Sequence, residues 1–196
     1  MAKRGVRLAV MSKNELTIDI PEHRDLYQAF PQTDWNQRAR GLGATTARPA
    51  VSVGEENLLG YRQDRYRGES ILIHEFSHGM HIMGLRYTDS AFEPALKAAF
   101  DSAISNGVWK NTYAATNKEE YWAEGVQSWF DANLQARPPN GIHNEINTRE
   151  ELKRYDPDLA QLIESVYGPA AWRWKPPNTE KIRLCPIHSV SPWWPD

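Results

Sequence analysis

Apolar residues recur at helical spacing in the middle of the chain. Gly68-Glu69-Ser70 gives a helix start with Ser70 as N-cap, Ile71-Leu72-Ile73 opens an apolar run, and Gly84 supplies a C-cap. Leu72, Phe76 and Met83 fall on one side and His74 and His78 on the other. The helix is therefore predicted to bury its apolar face and turn its histidines toward a site. From Ser90 to Asn106, the residues Phe92, Ala95, Leu96, Ala99 and Ala103 repeat the helical period, stopped by Gly107. Asn117 followed by Glu120 has the form of a capping box, and Trp122, Trp129 and Phe130 lie on core-facing sides of the helix it opens. Thr148-Arg149-Glu150-Glu151 opens a further short helix, and Asp156 to Tyr167 reads as another, closed by Gly168-Pro169. Val6 to Met11 and Ala50 to Val53 read as strands, while the segment up to about Thr46 has no clear period. The second strand is the expected edge strand ahead of the histidine helix, where an extended substrate would pair. From Trp172 the chain is rich in Pro and Trp, including Trp174, Trp193 and Trp194, and is expected to wrap the body or to be partly loose.

The histidine helix carries His74-Glu75-Phe76-Ser77-His78, an H-E-x-x-H motif. Four residues advance an α-helix by about 6 Å and turn it about 40° past one full turn. Both imidazoles then project from one face and can hold a single ion. Imidazole ligands and a site of this form imply zinc, one ion per chain. Glu75, beside the stripe, is placed to take a proton from a water held by the ion. Two core histidines bonded to carbonyls are the plain alternative.

A catalytic zinc commonly takes three protein ligands and leaves one position open. Glu120 and Glu124 are four apart and share a face of an otherwise apolar helix. Buried carboxylates are costly unless paired or metal-bound, so Glu120 is the candidate third ligand. Glu124 would accept a hydrogen bond from the free N–H of a ligating histidine, His74 by preference. A solvated acidic face near a helix N-terminus is the alternative. Glu119 is a rival ligand, but it lacks a carboxylate four residues on. His81 stands in line with His74, yet three imidazoles from one helix diverge from a common ion. It is read as a pocket wall or a capping group.

Taken together, His74-Glu75-Phe76-Ser77-His78-Gly79, Tyr113 and Thr116-Asn117-Lys118-Glu119-Glu120-Tyr121-Trp122-Ala123-Glu124 resemble the catalytic domain of anthrax lethal factor. They are similar also to the small clostridial Pro-Pro endopeptidases of that group. These are gluzincins, zinc peptidases with a glutamate as third ligand. The pattern has a tyrosine seven residues before that glutamate and an acidic residue four after it, positions held here by Tyr113 and Glu124. The match runs from about Ser70 to Phe130. It implies an α+β, zincin-like fold: a small sheet with an edge strand over a helical active-site core. It also implies His74, His78 and Glu120 as ligands, Glu75 as general base, Tyr113 as oxyanion stabiliser and endopeptidase action on a peptide or protein. The elements by which these relatives select substrates are not recognisable here, so their preferences are not carried over.

A chain of 196 residues is enough for one domain, and with its 12 glycines counted the apolar share is roughly 46%, ordinary for a globular protein. A formal net charge of −2 leaves no basic footprint for nucleic acid. Arg62, Arg65 and Arg67 read as a solvated loop rather than a substrate clamp. No apolar run approaches the roughly 20 residues needed to span a membrane. Met1-Ala2-Lys3-Arg4-Gly5 is not followed by the apolar stretch of a secretory leader, so the protein is either intracellular or has lost its leader. Cys185 is the one cysteine, which leaves no internal disulfide to indicate the compartment. It also argues against peptide deformylases, whose cysteine ligand lies upstream of the motif. His143, in Gly141-Ile142-His143-Asn144, is read as a surface loop histidine, with oxyanion donation as the alternative. The resulting expectation is a single catalytic domain with zinc-dependent peptidase activity. Its alternatives are a zinc hydrolase of a non-peptide amide or ester, and a low-turnover binding or toxin-like module.

Overall fold

The structure, a computed structural model, describes residues 1–177. Cys185, Trp193 and Trp194 lie outside the described residues. Strand β1 (Arg7–Met11) is followed by the short helices α1 (Leu26–Ala29) and α2 (Trp35–Arg38), then by strands β2 (Gly41–Leu42) and β3 (Ala50–Gly54) and helix α3 (Glu55–Leu59). The strands form one sheet in the order β1-β3-β2, with β1 parallel to β3 and β2 antiparallel to it. The strand expected at the edge is therefore the central one. All five residues of β3 are buried, as a strand covered on both sides requires. The edge on the side of the histidine helix is β2. Its two residues are too few to carry a period-2 pattern, so the sequence before Thr46 hid it.

Helix α4 (Ile71–Met80) starts where Ser70 accepts the Ile73 N–H at 3.4 Å. It does not end at Gly84. The helix widens into a π-turn over His81–Leu85 and runs on through α5 (Arg86–Thr88) until Asp89 turns extended. Gly84 is not among the positive-φ glycines, so it cannot make the left-handed stop expected of it. The burial of α4 departs from expectation at Phe76. Phe76 is 40% exposed, whereas Ile71, His74, Ser77, His78 and Gly79 are buried. The helix lies between the sheet and α7, so its histidine face is an interior face. Leu72 and Met83 pack with Ala44 and Val51 on the sheet side.

Helix α6 (Phe92–Ser105) buries Phe92, Leu96, Ala99 and Ala103 and leaves Ala95 exposed; Gly107, at φ +72°, turns the chain after it. Helix α7 (Lys118–Trp129) is buried along its whole length from Tyr121. Helices α8 (Arg149–Tyr155) and α9 (Pro157–Tyr167) begin at the expected caps. Thr148 and Glu151 bond each other's backbone N–H groups, and Asp156 accepts from Leu159 N–H at 3.1 Å. The main core lies among these four helices around Trp109, Tyr121, Trp122 and Trp129, each 2% exposed or less. The Trp122 indole N–H reaches the Ser77 carbonyl at 3.1 Å, joining α7 to α4.

One peripheral expectation is met, and a second is seen only in its first residues. Arg62, Arg65 and Arg67 are exposed. The described part of the Trp-rich tail lies on the body, with Trp174 N–H on the Phe130 carbonyl at 2.8 Å. No described helix is long and apolar enough to cross a membrane. The whole is a mixed helix-and-sheet architecture compatible with the α+β class.

Candidate metal centre

Two capped helices meet at their polar faces. Ser70 sets the start of α4, and Asn117 sets the start of α7 by accepting the Glu120 N–H at 2.9 Å. The expected reciprocal bond of a capping box is missing, because the Glu120 carboxylate turns to the histidines instead. Its Oε2 lies 3.1 Å from His74 Nε2 and 3.2 Å from His78 Nε2, and the two Nε2 atoms are 3.1 Å apart. With metal bonds of about 2.0–2.2 Å, the ligand atoms of a tetrahedral zinc stand roughly 3.3–3.6 Å apart. The observed triangle is close to one face of that tetrahedron. The buried group of His74, His78 and Glu120 thus fits a metal ion.

The outer nitrogen of His74 departs from expectation. Its Nδ1 lies 2.7 Å from Gln127 Oε1, while Glu124 Oε1 stands at 3.5 Å and the other Glu124 oxygen, Oε2, accepts from Asn133 Nδ2 at 2.9 Å. The amide nitrogen of Gln127 donates to the Ser70 carbonyl at 3.2 Å and to Glu69 at 3.4 Å, which leaves its oxygen to accept from His74. His74 then carries its proton on Nδ1 and points the Nε2 lone pair at the triangle. Gln127 was missed, yet its spacing was visible. Residues 120, 124 and 127 form one i, i+4, i+7 stripe.

Charge at this centre is lopsided. Burial works against a charged His74, but the hydrogen bond to Glu120 and the charges of Glu75, Glu124 and Glu120 carry its pKa up to about 10. Desolvation opposes ionisation of Glu120, yet hydrogen bonds from both imidazoles hold it far below the usual carboxylate range. Burial pushes Glu75 and Glu124 upward. Among the described residues, the ion pairs of Glu120 and Glu124 are with histidines alone. Left to itself, such a group gathers a proton; a bound dication would take that proton's place.

A cavity of about 610 Å³ opens over the triangle. Glu75 lines it, half-buried beside the imidazoles. Tyr113 lines it too. Its hydroxyl donates to Glu120 Oε1 at 3.0 Å, and its ring stacks on His74 at 6.4 Å between centroids. Desolvation, with the Glu120 charge, pushes the Tyr113 phenol up to about 12, so it stays a neutral donor. On the opposite wall β2 abuts α4. A Cβ on Gly43 would stand 2.5 Å from the His78 Cβ, and one on Gly41 would stand 2.6 Å from Ile71 Cγ2. Only glycine admits the strand this close.

The remaining candidates fall elsewhere. His81 is fully buried, pairs with Glu93 and packs edge-on to Phe92 at 5.3 Å, so it is neither a wall of the cavity nor a cap. Glu119 reaches the cavity mouth but is held by Lys118 at 2.9 Å and Arg86 at 3.8 Å, away from the triangle. His143 corrects the surface-loop expectation. Its side chain is 10% exposed and lines the cavity, with Nε2 3.8 Å from Glu69 Oε1. The loop is folded inward because Tyr113 N–H binds the Ile142 carbonyl at 2.8 Å and Asn140 Oδ1 accepts the His143 N–H at 2.8 Å. No local sequence pattern announces such a fold-over.

Comparison with models of protein families, with curated proteins and with solved structures found no match.

Proposed function

We propose that the protein is a zinc-dependent peptidase of the gluzincin type, with a zincin-like fold. The observation that carries the reading is the triangle of His74 Nε2, His78 Nε2 and Glu120 Oε2, with Glu75 and Tyr113 on the same cavity. Two imidazoles, one carboxylate and an open fourth side make a donor set suited to catalytic zinc. When bound, zinc would supply a Lewis acid that polarises a carbonyl and acidifies water. The chain's own residues do the rest. Glu75, whose burial raises its proton affinity, accepts a proton from the attacking water and delivers it to the leaving amine. Tyr113 exchanges its bond to Glu120 for one to the developing oxyanion. Gln127 keeps the His74 lone pair facing inward. The free edge of β2 borders the cavity at Gly41 and Leu42, with Gly43 just beyond the strand, and an extended peptide can add there as a further strand.

The test joins metal content to turnover. Purified protein is expected to hold about one zinc per chain and to cleave members of a peptide library read by mass spectrometry. Glu75→Gln is expected to keep the zinc and lose about 10²- to 10⁴-fold in turnover. Full activity in Glu75→Gln would rule out its role as base, and protein without zinc after mild purification would remove the reading altogether.

A further inference from the structure

One buried carboxylate on the cavity has no adequate partner. Most buried acids of the described fold are matched closely. Glu56 takes a forked pair from Arg40 at 2.7 and 3.0 Å, and Asp156 accepts from Trp109 at 2.8 Å and Tyr121 at 2.7 Å. Asp64 accepts from Asn57 at 3.0 Å and Tyr66 N–H at 2.9 Å, and Glu124 from Asn133 at 2.9 Å. Glu69 is different. Its side chain is 8% exposed, its one hydrogen bond is the long 3.4 Å contact from Gln127, and its one ionic neighbour is His143 at 3.8 Å. No lysine or arginine among the described residues reaches it. Desolvation, followed by repulsion from Glu124, pushes Glu69 up to about 7.

A second observation lies beside it. His143 is nine-tenths buried against the same cavity, and its Nδ1 is buried without a hydrogen-bond partner. A weakly bonded carboxylate and an unpartnered imidazole nitrogen thus sit side by side on the cavity, a cost that a ligand would relieve. Tyr66, Ile71 and Ile142 line the same cavity and give it apolar and aromatic surface. An alkyl stem fits such walls while its charged head meets the acid. A chain of contacts through Gln127 places Glu69 directly behind the ligand candidate His74.

We propose that this end of the cavity is a specificity pocket for a lysine or arginine side chain, anchored on the Glu69 carboxylate and walled by His143. The proposal deepens the peptidase reading and rests on it for the peptide nature of the ligand. A charged hydrogen bond formed out of water discriminates strongly against an isosteric uncharged side chain.

The Glu75→Gln chain, loaded with zinc, is titrated calorimetrically with blocked hexapeptides that carry lysine or norleucine at each position in turn. At one position lysine is expected to bind at least about tenfold tighter. Glu69→Gln in the same background should make the two peptides equal, whereas Glu69→Asp, which keeps the charge, should retain a preference. Equal affinity at every position, no binding of any peptide, or a preference that survives Glu69→Gln overturns the pocket. So does tighter binding of an unblocked norleucine peptide, with its free N-terminus, than of the blocked lysine peptide. Hydrolysis by the unaltered chain separates the two readings. Cleavage without a lysine preference removes the pocket and leaves the peptidase. A Glu69-dependent lysine preference without cleavage removes the peptidase and keeps the pocket.

Discussion

Two clusters of histidine and glutamate lie one turn apart on the same helix, and they are built to opposite ends. At His81 the acid Glu93 is surrounded by cations, with Arg86 at 3.0 Å and Lys118 at 2.7 Å as well as the imidazole. Desolvation opposes ionisation of Glu93, but bonds from Lys118, His81 and Arg86 hold its pKa down to about 2. His81 gives its Nε2 to Glu93, and burial lowers its proton affinity. At His74 and His78 the acids outnumber the cations, and Gln127 takes the Nδ1 proton so that Nε2 faces inward. The first cluster balances the charge of its acid within the chain, although His81 Nδ1 is buried without a hydrogen-bond partner. In the second, among the described residues, no lysine or arginine pairs with Glu120 or Glu124, and both Nε2 atoms converge on Glu120. The same residue types therefore make a structural ion network or a group that could hold a metal ion, depending on which ring nitrogen is occupied and whether lysine or arginine pairs with the acids.

The largest expected effect breaks the second cluster. Glu120→Ala should strip zinc, lowering affinity by more than the roughly 10- to 100-fold that loss of a supporting group costs. Chelator competition measures this, and unchanged affinity would shift the ligand role to another group such as Glu119. Gln127→Leu comes next. It should lower zinc affinity by about 10- to 100-fold while leaving the fold intact, and by more than Glu124→Gln does, because Gln127 is the shorter contact to His74. An equal or larger loss in Glu124→Gln would restore Glu124 as the main support. The smallest effect on the metal should come from the first cluster. Glu93→Ala is expected to lower unfolding free energy by about 1–3 kcal/mol in urea denaturation, since it strands the buried His81, yet to leave one zinc per chain. Lost zinc there would show that the two clusters act as one.

Local signals carried most of what the sequence revealed. Ser70, Asn117, the Thr148–Glu151 pair, Asp156 and Gly107 act within a few residues of themselves, and each appears where its chemistry requires. His74, His78 and Glu120 were legible because ligand spacing on two helices is a periodic signal. What failed depended on long-range packing. Phe76 looks like a core residue, but the sheet and α7 cover the other side of its helix. Gly84 looks like a stop, yet the chain continues through a π-turn. Nothing near Ala50 says that a two-residue strand will pair outside it and make it central. His143 enters the cavity only because its loop is tied to Tyr113 across the molecule. Gln127 was readable in principle, as the third member of the stripe begun by Glu120.

The contact of β2 with α4 has an engineering consequence. At Gly41 and Gly43 the wall has no thickness, so it has no tolerance either. A single methyl group at Gly43 would act as a wedge between the strand and His78. Attempts to reshape the cavity from this side would shift a ligand candidate along with the groove. Ile142 and His143 line the same cavity from a loop outside that contact, and their side chains can be exchanged without prising the helix loose. Selectivity in this protein should therefore be adjustable from one bank only, while the other is fixed by the clearance of its backbone.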